Sequence, residues 1–307
     1  MNHHARMSTG SMSDPRVMQD PAAMRSLAEE ARRAGRRLAL VPTMGALHEG
    51  HLALVREARS RADHVTVSIF VNPTQFGPGE DYERYPRTLE ADLEALRRVG
   101  GVDAVFAPTV EGLYPYGEAA NATWVTVEGL TDGLCGRYRP GHFRGVTTVV
   151  ARLFNVCRPH IACFGLKDAQ QFFVLRRMAR ELLTGVEFIG VPTVREADGL
   201  ALSSRNAYLS PEERAQAPVL WKALQAAEAA IQRGELRPAA IVERMLQMLA
   251  TAPLARPQYV ELVDTETLQP VDRLEPGREV LAALAVYFGQ TRLIDNVIVR
   301  IPSPSDR

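Results

Sequence analysis

The chain has few cysteines, no excess of charge of either sign and no long apolar run. Three cysteines in 307 residues, Cys135, Cys157 and Cys163, make no CxxC pair and fit neither a disulfide framework nor a zinc ribbon. The 36 Lys and Arg residues balance the 36 Asp and Glu residues, which argues against duplex nucleic acid or an anionic membrane surface as a partner. No run approaches the roughly 18 apolar residues of a membrane span. These absences predict a cytoplasmic, globular protein.

The N-terminal residues 1–14 are polar, rich in Ser and Met, and lack the apolar stretch of a signal peptide. We interpret them as a disordered tail and leave them out of the fold prediction. At roughly 100–200 residues per domain, the length suggests about two domains in the remainder of the chain.

Short apolar runs alternate with helical patterns over residues 15–193. Strand candidates are Arg37–Val41, Val65–Val71, Ala104–Ala107 and Ile161–Phe164, and Phe172–Leu183 is predicted to be helical. Strands separated by helices of this length indicate βαβ units. This segment is therefore predicted to be a Rossmann-like α/β domain, built on a doubly wound parallel sheet.

The pattern changes after residue 193, where helices come first and strands later. Pro211–Gln232, which Pro218 interrupts, and Pro238–Leu249 are predicted to be helical. Three apolar strand candidates follow, at Tyr259–Val263, Val280–Tyr287 and Leu293–Val299. Residues 194–307 are therefore predicted to form a second, smaller α+β domain.

A glycine-containing loop with two histidines follows the first predicted strand. His48 and His51 lie on either side of Gly50, at the predicted start of a helix. Ligands of a doubly wound sheet bind beyond the carboxyl ends of its strands, where a helix N-terminus attracts anions. Both imidazoles can donate to phosphate oxygens during nucleotidyl transfer. Two alternatives stay open: one exposed and one helix-capping histidine, or a zinc site, for which the spacing is not HExxH and no third ligand is evident.

Further polar clusters lie at other predicted loops and strand ends. Neutral amides suit a substrate with hydroxyls and a carboxylate, whereas hydroxyls and cationic side chains suit a polyphosphate. Asp168 also fits a helix cap, and Asp92 fits a solvated surface charge. Because no acidic nucleophile is evident, the clusters favour nucleotidyl transfer by positioning and charge stabilisation. They comprise Asn72 and Gln75, Arg139 and His142, Lys167, Asp168 and Gln171, and Ser203, Ser204 and Arg205.

These residues resemble the pantoate–β-alanine ligase family, within the HxGH nucleotidyltransferase superfamily. The resemblance implies that ATP, with Mg²⁺, adenylates the carboxylate of pantoate, after which the amine of β-alanine attacks the adenylate to give pantothenate and AMP. The family's motifs keep their order along the chain and stand at Pro42–His51, Ser68–Phe76, Tyr85–Thr88, Arg139–Val150, Phe164–Gln171 and Arg195–Asn206.

The resemblance also implies roles for individual positions, a homodimer and a lid formed by the smaller domain, with no nucleic-acid or membrane partner. The implied catalytic residues are His48, His51, Lys167 and Arg205, and Asp92 is the implied metal ligand. The implied ATP-binding residues are Met44, Gly45, His48, His51, Gly165, Lys167, Asp168, Thr193, Val194, Ser203, Ser204 and Arg205. The implied pantoate-binding residues are Met44, Asn72, Gln75, Arg139, His142 and Gln171.

Three other functions remain as alternatives. Another nucleotidyltransferase, such as a cytidylyltransferase, would share the HxGH signature but take a different acceptor. A non-catalytic nucleotide sensor could use the same fold, because fold alone does not fix function. A class I aminoacyl-tRNA synthetase would need a tRNA-binding surface, which the neutral net charge and modest length disfavour.

Overall fold

The computed structural model of the protein describes residues 14–303, which are organised around two sheets. The larger sheet is parallel throughout, and its strands lie in the order β1-β4-β3-β2-β5-β6. The order reverses between β2 and β5, so their carboxyl ends flank the position where a doubly wound sheet binds ligands. The six strands are β1 Arg16–Met18, β2 Leu38–Thr43, β3 His64–Ile69, β4 Ala104–Phe106, β5 Ile161–Gly165 and β6 Glu187–Val191.

Helices cover both faces of this sheet, as a parallel sheet requires. One apolar core joins Leu40 and Phe106 to side chains of α1, α6 and α7, and the other joins Val41 and Val67 to side chains of α2 and α3. The helices of this part are α1 Pro21–Arg33, α2 Glu49–Arg61, α3 Leu89–Val99, α4 Val110–Leu113, α5 Leu134–Tyr138, α6 His142–Cys157 and α7 Ala169–Glu181.

The smaller sheet is antiparallel, in the order β7-β8-β9, and its central strand contributes to two cores. Leu281, Ala283 and Ala285 of β8 pack with the α1, α6 and α7 core, whereas the alternating Ala282 and Leu284 pack with α9 and α10. Alternate side chains of a strand point to opposite faces, so this sheet is covered on both sides. Its elements are α8 Pro211–Gln216, α9 Val219–Gln232, α10 Pro238–Leu249, β7 Ala255–Asp264, β8 Glu279–Phe288 and β9 Thr291–Arg300.

The predicted fold class is confirmed, including the break of the Ala-rich stretch at Pro218, which separates α8 from α9. The predicted bounds differ by a few residues at element ends: the strand placed at Val65–Val71 ends at Ile69, and the helix placed at Phe172–Leu183 begins at Ala169. Of the predicted tail, residues 1–13 lie outside the described residues, and Asp14 forms an ion pair with Arg97 at 3.2 Å. The predicted domain boundary at residue 193 stays a prediction.

The helices within residues 14–303 are all too short or too polar to cross a membrane. The three cysteine thiols are buried and unpaired. Burial raises the pKa of the Cys163 thiol to about 12, so this thiol is protonated at neutral pH.

Candidate active site

Two adjoining cavities lie at the carboxyl ends of the parallel strands. The smaller, of about 240 Å³, is enclosed by the loops that follow β2, β3 and β5. The larger, of about 610 Å³, extends from there to strands β7–β9. The structure brings nearly all of the predicted site residues together, since every one except Gly45 and Asp92 lines the smaller cavity. Those shared by both cavities are Arg139, His142, Lys167, Asp168, Gln171, Ser203 and Arg205.

The two histidines hold each other and the first turn of α2 in place. Nδ1 of His48 accepts a hydrogen bond from the Gly50 N–H at 3.1 Å, and Nδ1 of His51 accepts from the His48 N–H at 3.2 Å. The rings lie 4.1 Å apart between centroids. Because each Nδ1 is an acceptor, each neutral ring carries its proton on Nε2. Both histidines therefore cap the helix, and both keep an Nε2–H donor on a ring that lines the cavity.

Burial keeps these imidazoles neutral. It lowers the pKa of His51 to about 3, and the nearby His48 and Lys167 add to that effect. The pKa of His48 is lowered by burial first and then by the charge of Lys167. At neutral pH the pair thus offers two polarised N–H groups rather than fixed positive charges, a form that stabilises charge as it develops on a bound phosphate.

A glycine is required between the histidines because the His48 ring covers position 50. A Cβ at Gly50 would lie 2.9 Å from Cε1 and 3.0 Å from Nδ1 of His48. Contacts this short would push the ring away from its hydrogen bond with the Gly50 N–H. The glycine of the HxGH signature is thus explained by packing of the imidazole against the main chain.

Asp92 is buried, and its expected place as a solvated surface charge is wrong. Only 3% of it is exposed, and its carboxylate accepts from the N–H groups of Ala46 at 3.0 Å and Leu47 at 2.7 Å. Burial raises the pKa of Asp92, against the opposing effect of these bonds. Gly45 packs directly on this carboxylate with a φ of +81°. Asp92 therefore fixes the loop that leads to His48 and does not line either cavity.

The Gln75 side chain is oriented by a buried hydrogen-bond network. Asn72, which is 1% exposed, donates from Nδ2 to Oε1 of Gln75 at 3.0 Å and to the Gly145 carbonyl at 3.2 Å. Its Oδ1 accepts from the Tyr114 hydroxyl at 2.7 Å. Nε2 of Gln75 in turn lies 3.1 Å from Sδ of Met44. The amide group of Gln75 is thus presented to the cavity with its orientation set.

His142 and Arg139 support the main chain of the same residue. Nδ1 of His142 lies 2.8 Å from the Gln75 carbonyl and must donate to it, so Nε2 accepts from Nη1 of Arg139 at 3.1 Å. Arg139 also forms two hydrogen bonds with the Glu80 carboxylate, at 2.6 and 2.7 Å. Burial alone would raise the pKa of Glu80, but the bonds from Arg139 hold that pKa below its usual value.

Lys167 and Asp168 lie in a 3₁₀ turn, Leu166–Asp168, between β5 and α7. Asp168 is at the N-cap position of α7, but its side chain makes no capping hydrogen bond. The expected capping role is therefore wrong, and the exposed carboxylate faces both cavities. Gln171, Gly165, Thr193 and Val194 line the smaller cavity as well.

The segment Ser203–Arg205 adds hydroxyls and a guanidinium to the lining of the smaller cavity. Oγ of Ser203 accepts from the Arg205 N–H at 3.3 Å. Nη2 of Arg205 pairs with Oδ1 of Asp81 at 3.1 Å. Glu80 and Asp81 belong to one stretch, residues 77–85, which we call the acidic loop. The Glu80 and Asp81 carboxylates of this loop pair with Arg139 and Arg205, which the sequence suggested as anion ligands.

Replacing Asp81 by Asn should tighten ATP binding. The change leaves Arg205 without its carboxylate partner, so an incoming phosphate no longer competes with Asp81. This ion pair is mostly buried, and its loss is worth about 1 kcal/mol, which corresponds to a roughly fivefold lower KM for ATP. Steady-state kinetics at varied ATP check this, with Glu83→Gln on the same loop as the control. A KM that rises or stays constant in Asp81→Asn would contradict the competition.

The buried histidines should make the protein less stable in mild acid. The pKa of His51 falls to about 3 and that of His142 to about 4 in the folded protein, from a usual value of 6.5, chiefly through burial. Unfolding therefore takes up protons below pH 6.5, and stability that is present above pH 6.5 is lost as the pH falls toward 4. The expected slope is about 1.4 kcal/mol per pH unit for each histidine.

Urea unfolding at several pH values between about 4.5 and 7.5 measures that slope. In His142→Gln the slope should decrease by about one proton, because glutamine does not titrate. An identical pH dependence in the variant and the unchanged protein would show that His142 is already protonated in the folded state.

Several site residues could not be found from the sequence. Glu80 and Asp81 occur in a charged loop with no motif, and Tyr114 is an isolated aromatic residue. For Asp295 and Asn296 the sequence offers one signal of a functional role: these two polar residues interrupt the apolar strand β9. Within residues 14–303, no cluster of three or more His, Cys, Asp and Glu side chains could hold a metal ion.

The chain is similar to characterised proteins over nearly its whole length. Residues 16–298 match the family model described as Pantoate-beta-alanine ligase. The pantothenate synthetase of Salinibacter ruber is 61% identical over 284 residues, which cover 91% of this chain and 96% of that protein. That of Moorella thermoacetica is 56% identical over 286 residues, which cover 93% of this chain and 99% of the relative.

Solved structures similar to this chain carry the same names as the sequence relatives. The pantothenate synthetase of Thermus thermophilus superposes with a TM-score of 0.84 at 47% identity and covers 94% of this chain and 100% of its own. The pantoate-beta-alanine ligase of Francisella tularensis, solved in complex with beta-gamma ATP and β-alanine, has a TM-score of 0.74 at 30% identity and covers 92% and 97% of the two chains. The chain belongs to the pantoate–β-alanine ligase family.

Proposed function

We propose that the protein condenses pantoate with β-alanine at the expense of ATP, through a pantoyl adenylate, and releases AMP and pyrophosphate. One observation carries the proposal: two neutral Nε2–H donors, on His48 and His51, share a cavity with Lys167, Arg205 and the oriented amide of Gln75. Family membership supports the same reaction, and a relative solved with ATP and β-alanine supports both as ligands.

In the first step, a carboxylate oxygen of pantoate attacks the α-phosphorus of ATP. The new P–O bond forms as the bond to the bridging oxygen breaks, and the electron pair leaves with pyrophosphate. His48 and His51 donate from Nε2 to the α-phosphate oxygens, where negative charge builds up. Lys167, Ser203, Ser204 and Arg205 bind the departing phosphates. Removing one such preorganised donor typically lowers the rate by about 10²–10³-fold.

Pantoate would bind on the other side of the histidines. The amides of Gln75 and Gln171 can donate to its carboxylate and accept from its hydroxyls, and Met44 packs beside them. Asn72, Arg139 and His142 would act indirectly, because their hydrogen bonds hold Gln75 itself. The adenosine of ATP would lie along Gly165, Asp168, Thr193 and Val194, whereas Gly45, which lines neither cavity, would act through the loop that leads to His48.

In the second step, the amine of β-alanine attacks the acyl carbon of the adenylate. The C–N bond forms, the C–O bond to AMP breaks, and the nitrogen loses a proton. The smaller cavity serves both steps, because the acyl group remains bound to Gln75 and Gln171. Pyrophosphate leaves through the larger cavity.

The residues fit a Mg²⁺ ion that enters with ATP. Mg²⁺ is commonly held by one or two carboxylates together with substrate phosphates and water. The uncapped, exposed carboxylate of Asp168 is such a ligand, whereas the Asp92 oxygens already accept main-chain hydrogen bonds. When bound, the ion would offset charge on the phosphates.

Three further properties rest on the family resemblance and belong to this proposal. The protein acts in the cytoplasm, forms a homodimer, and divides at residue 193 into a nucleotide-binding domain and a smaller lid domain. Size-exclusion chromatography with light scattering measures the oligomeric state directly.

AMP formation tests the proposed function, with pantoate and β-alanine supplied singly and together. We expect AMP in quantity only when both are present, and exchange of labelled pyrophosphate into ATP only when pantoate is present. Exchange independent of pantoate would reject the adenylation. CTP in place of ATP tests a cytidylyltransferase, and binding of ATP without any AMP would indicate a nucleotide sensor.

A further inference from the structure

Strand β9 of the smaller sheet reaches the turn that carries Lys167. Nδ2 of Asn296 donates to the main-chain carbonyls of Leu166 at 2.9 Å and Lys167 at 2.8 Å. Both N–H groups of the amide are therefore used, and Asn296 is only 8% exposed. No other side-chain hydrogen bond to the main chain of this turn occurs among residues 14–303.

The preceding residue of β9 pairs with Arg195, on the stretch that leads to the other phosphate-binding segment. Asp295, which is 2% exposed, forms two hydrogen bonds with Arg195, at 2.6 and 3.0 Å. Arg195 also donates to the Gly199 carbonyl at 3.1 Å and stacks 3.7 Å above the Trp221 ring. Arg195 pairs with Ala201 in an isolated bridge, two residues before Ser203. The position of Arg195 thus determines where the segment Ser203–Arg205 begins.

The two contacts are coupled, because Oδ1 of Asp295 also accepts from the N–H of Asn296 at 2.8 Å. One dipeptide of the smaller sheet thereby links two segments that are distant in sequence and line the same cavities. We propose that Asp295 and Asn296 are positioning residues that set the spacing between Lys167 and Arg205 and so tune the site for the length of a polyphosphate. The inference rests on the proposed function for the identity of that ligand.

A positioning role predicts a selective loss. In Asn296→Ala the 166–168 turn loses two hydrogen bonds. The main chain of Lys167 is then no longer held in place, so its flexible side chain is positioned less well. Affinity for ATP should fall about tenfold, while the KM for pantoate changes less than about twofold, because Gln75 is held by a separate network. In Arg195→Lys one charged hydrogen bond to Asp295 can persist, so its loss should be smaller than that of Arg195→Met.

Two measurements are made on the intact protein: calorimetric binding of a non-hydrolysable ATP analogue, and KM values for ATP and pantoate. Glu266→Gln is the matched control, because it removes the charge from the 2.8 Å ion pair between Arg176 of α7 and the β7–β8 connection without touching the phosphate-binding segments. The control should bind the analogue normally.

Equal loss of ATP and pantoate affinity in Asn296→Ala, or an equal effect of Glu266→Gln, would mean that β9 only stabilises the fold and would overturn the proposal. So would unchanged analogue binding in both Asn296→Ala and Arg195→Met. If Asn296→Ala does not fold, the comparison of Arg195→Lys with Arg195→Met decides. Analogue binding does not depend on turnover, so absence of AMP formation in the unchanged protein would reject the proposed function and leave this test intact.

Discussion

His51→Asn should form the adenylate about 10²–10³-fold more slowly and remain folded. An asparagine side chain places a polar atom near the position of the histidine Nδ1, so it can still accept from the His48 N–H, which the imidazole holds at 3.2 Å. It has no group where the imidazole carries Nε2–H. The variant therefore removes the donor to the α-phosphate and preserves the helix cap. Single-turnover formation of adenylate at saturating ATP measures the effect.

His51→Gln should lose the helix cap and keep the donor. Its amide reaches the former position of Nε2 and can still donate, but it no longer caps the first turn of α2. Loss of a cap costs about 1 kcal/mol of stability. We expect a lower unfolding midpoint in urea and a rate well above that of His51→Asn. If His51→Asn kept its rate and His51→Gln lost it, the capping bond rather than the Nε2–H donor would be the group that matters.

Lys167→Met should lower the rate of adenylate formation by about 10²-fold or more. Methionine fills a similar volume without the ammonium group, so the turn that Asn296 holds should keep its shape. The departing pyrophosphate would then lose its ammonium partner and keep Arg205, the neutral donors and the Mg²⁺ that enters with ATP. We expect the effect mainly in kcat, because the developing charge is larger in the transition state than in bound ATP.

Lys167→Arg is the control for charge. It restores a cation, but the guanidinium is planar and longer than an ammonium and cannot occupy the same point. Intermediate activity is expected. Loss as complete as in Lys167→Met would show that geometry outweighs charge at this position, and full activity in Lys167→Met would remove Lys167 from the catalytic set.

Most of the fold was predictable because its helices and strands are specified by patterns among residues that are close in sequence. The apolar runs of β2, β3 and β5 alternate with segments of helical spacing, which is a local pattern. A proline inside a helical stretch breaks the helix, and Pro218 does so between α8 and α9. The short β1 has only three residues, Arg16–Met18, and its identity as a strand depends on pairing with β4, so no local pattern identified it.

The site was predictable only in part, for a related reason. The residues near glycines at strand ends, such as His48 and Lys167, could be placed at one edge of the sheet from the order of elements. The burial of Asp92 could not, because it depends on two N–H groups exposed by a left-handed turn 46 positions away. Nor could the contact of Asn296 with Lys167 or the pairing of Asp81 with Arg205. The specific substrates came from the resemblance of the motifs, not from the chemistry of single residues.

The acidic loop has a consequence for which anions the protein admits. Glu80 and Asp81 act as built-in counter-ions for Arg139 and Arg205, so the free cavity holds these guanidinium groups already neutralised. A ligand that binds Arg205 must exchange for the Asp81 carboxylate, and only a highly charged one offsets the loss of that ion pair. Orthophosphate carries less charge than ATP, too little to do so. We expect it to compete weakly with ATP, and this discrimination would come from the loop rather than from the groups that bind the nucleotide.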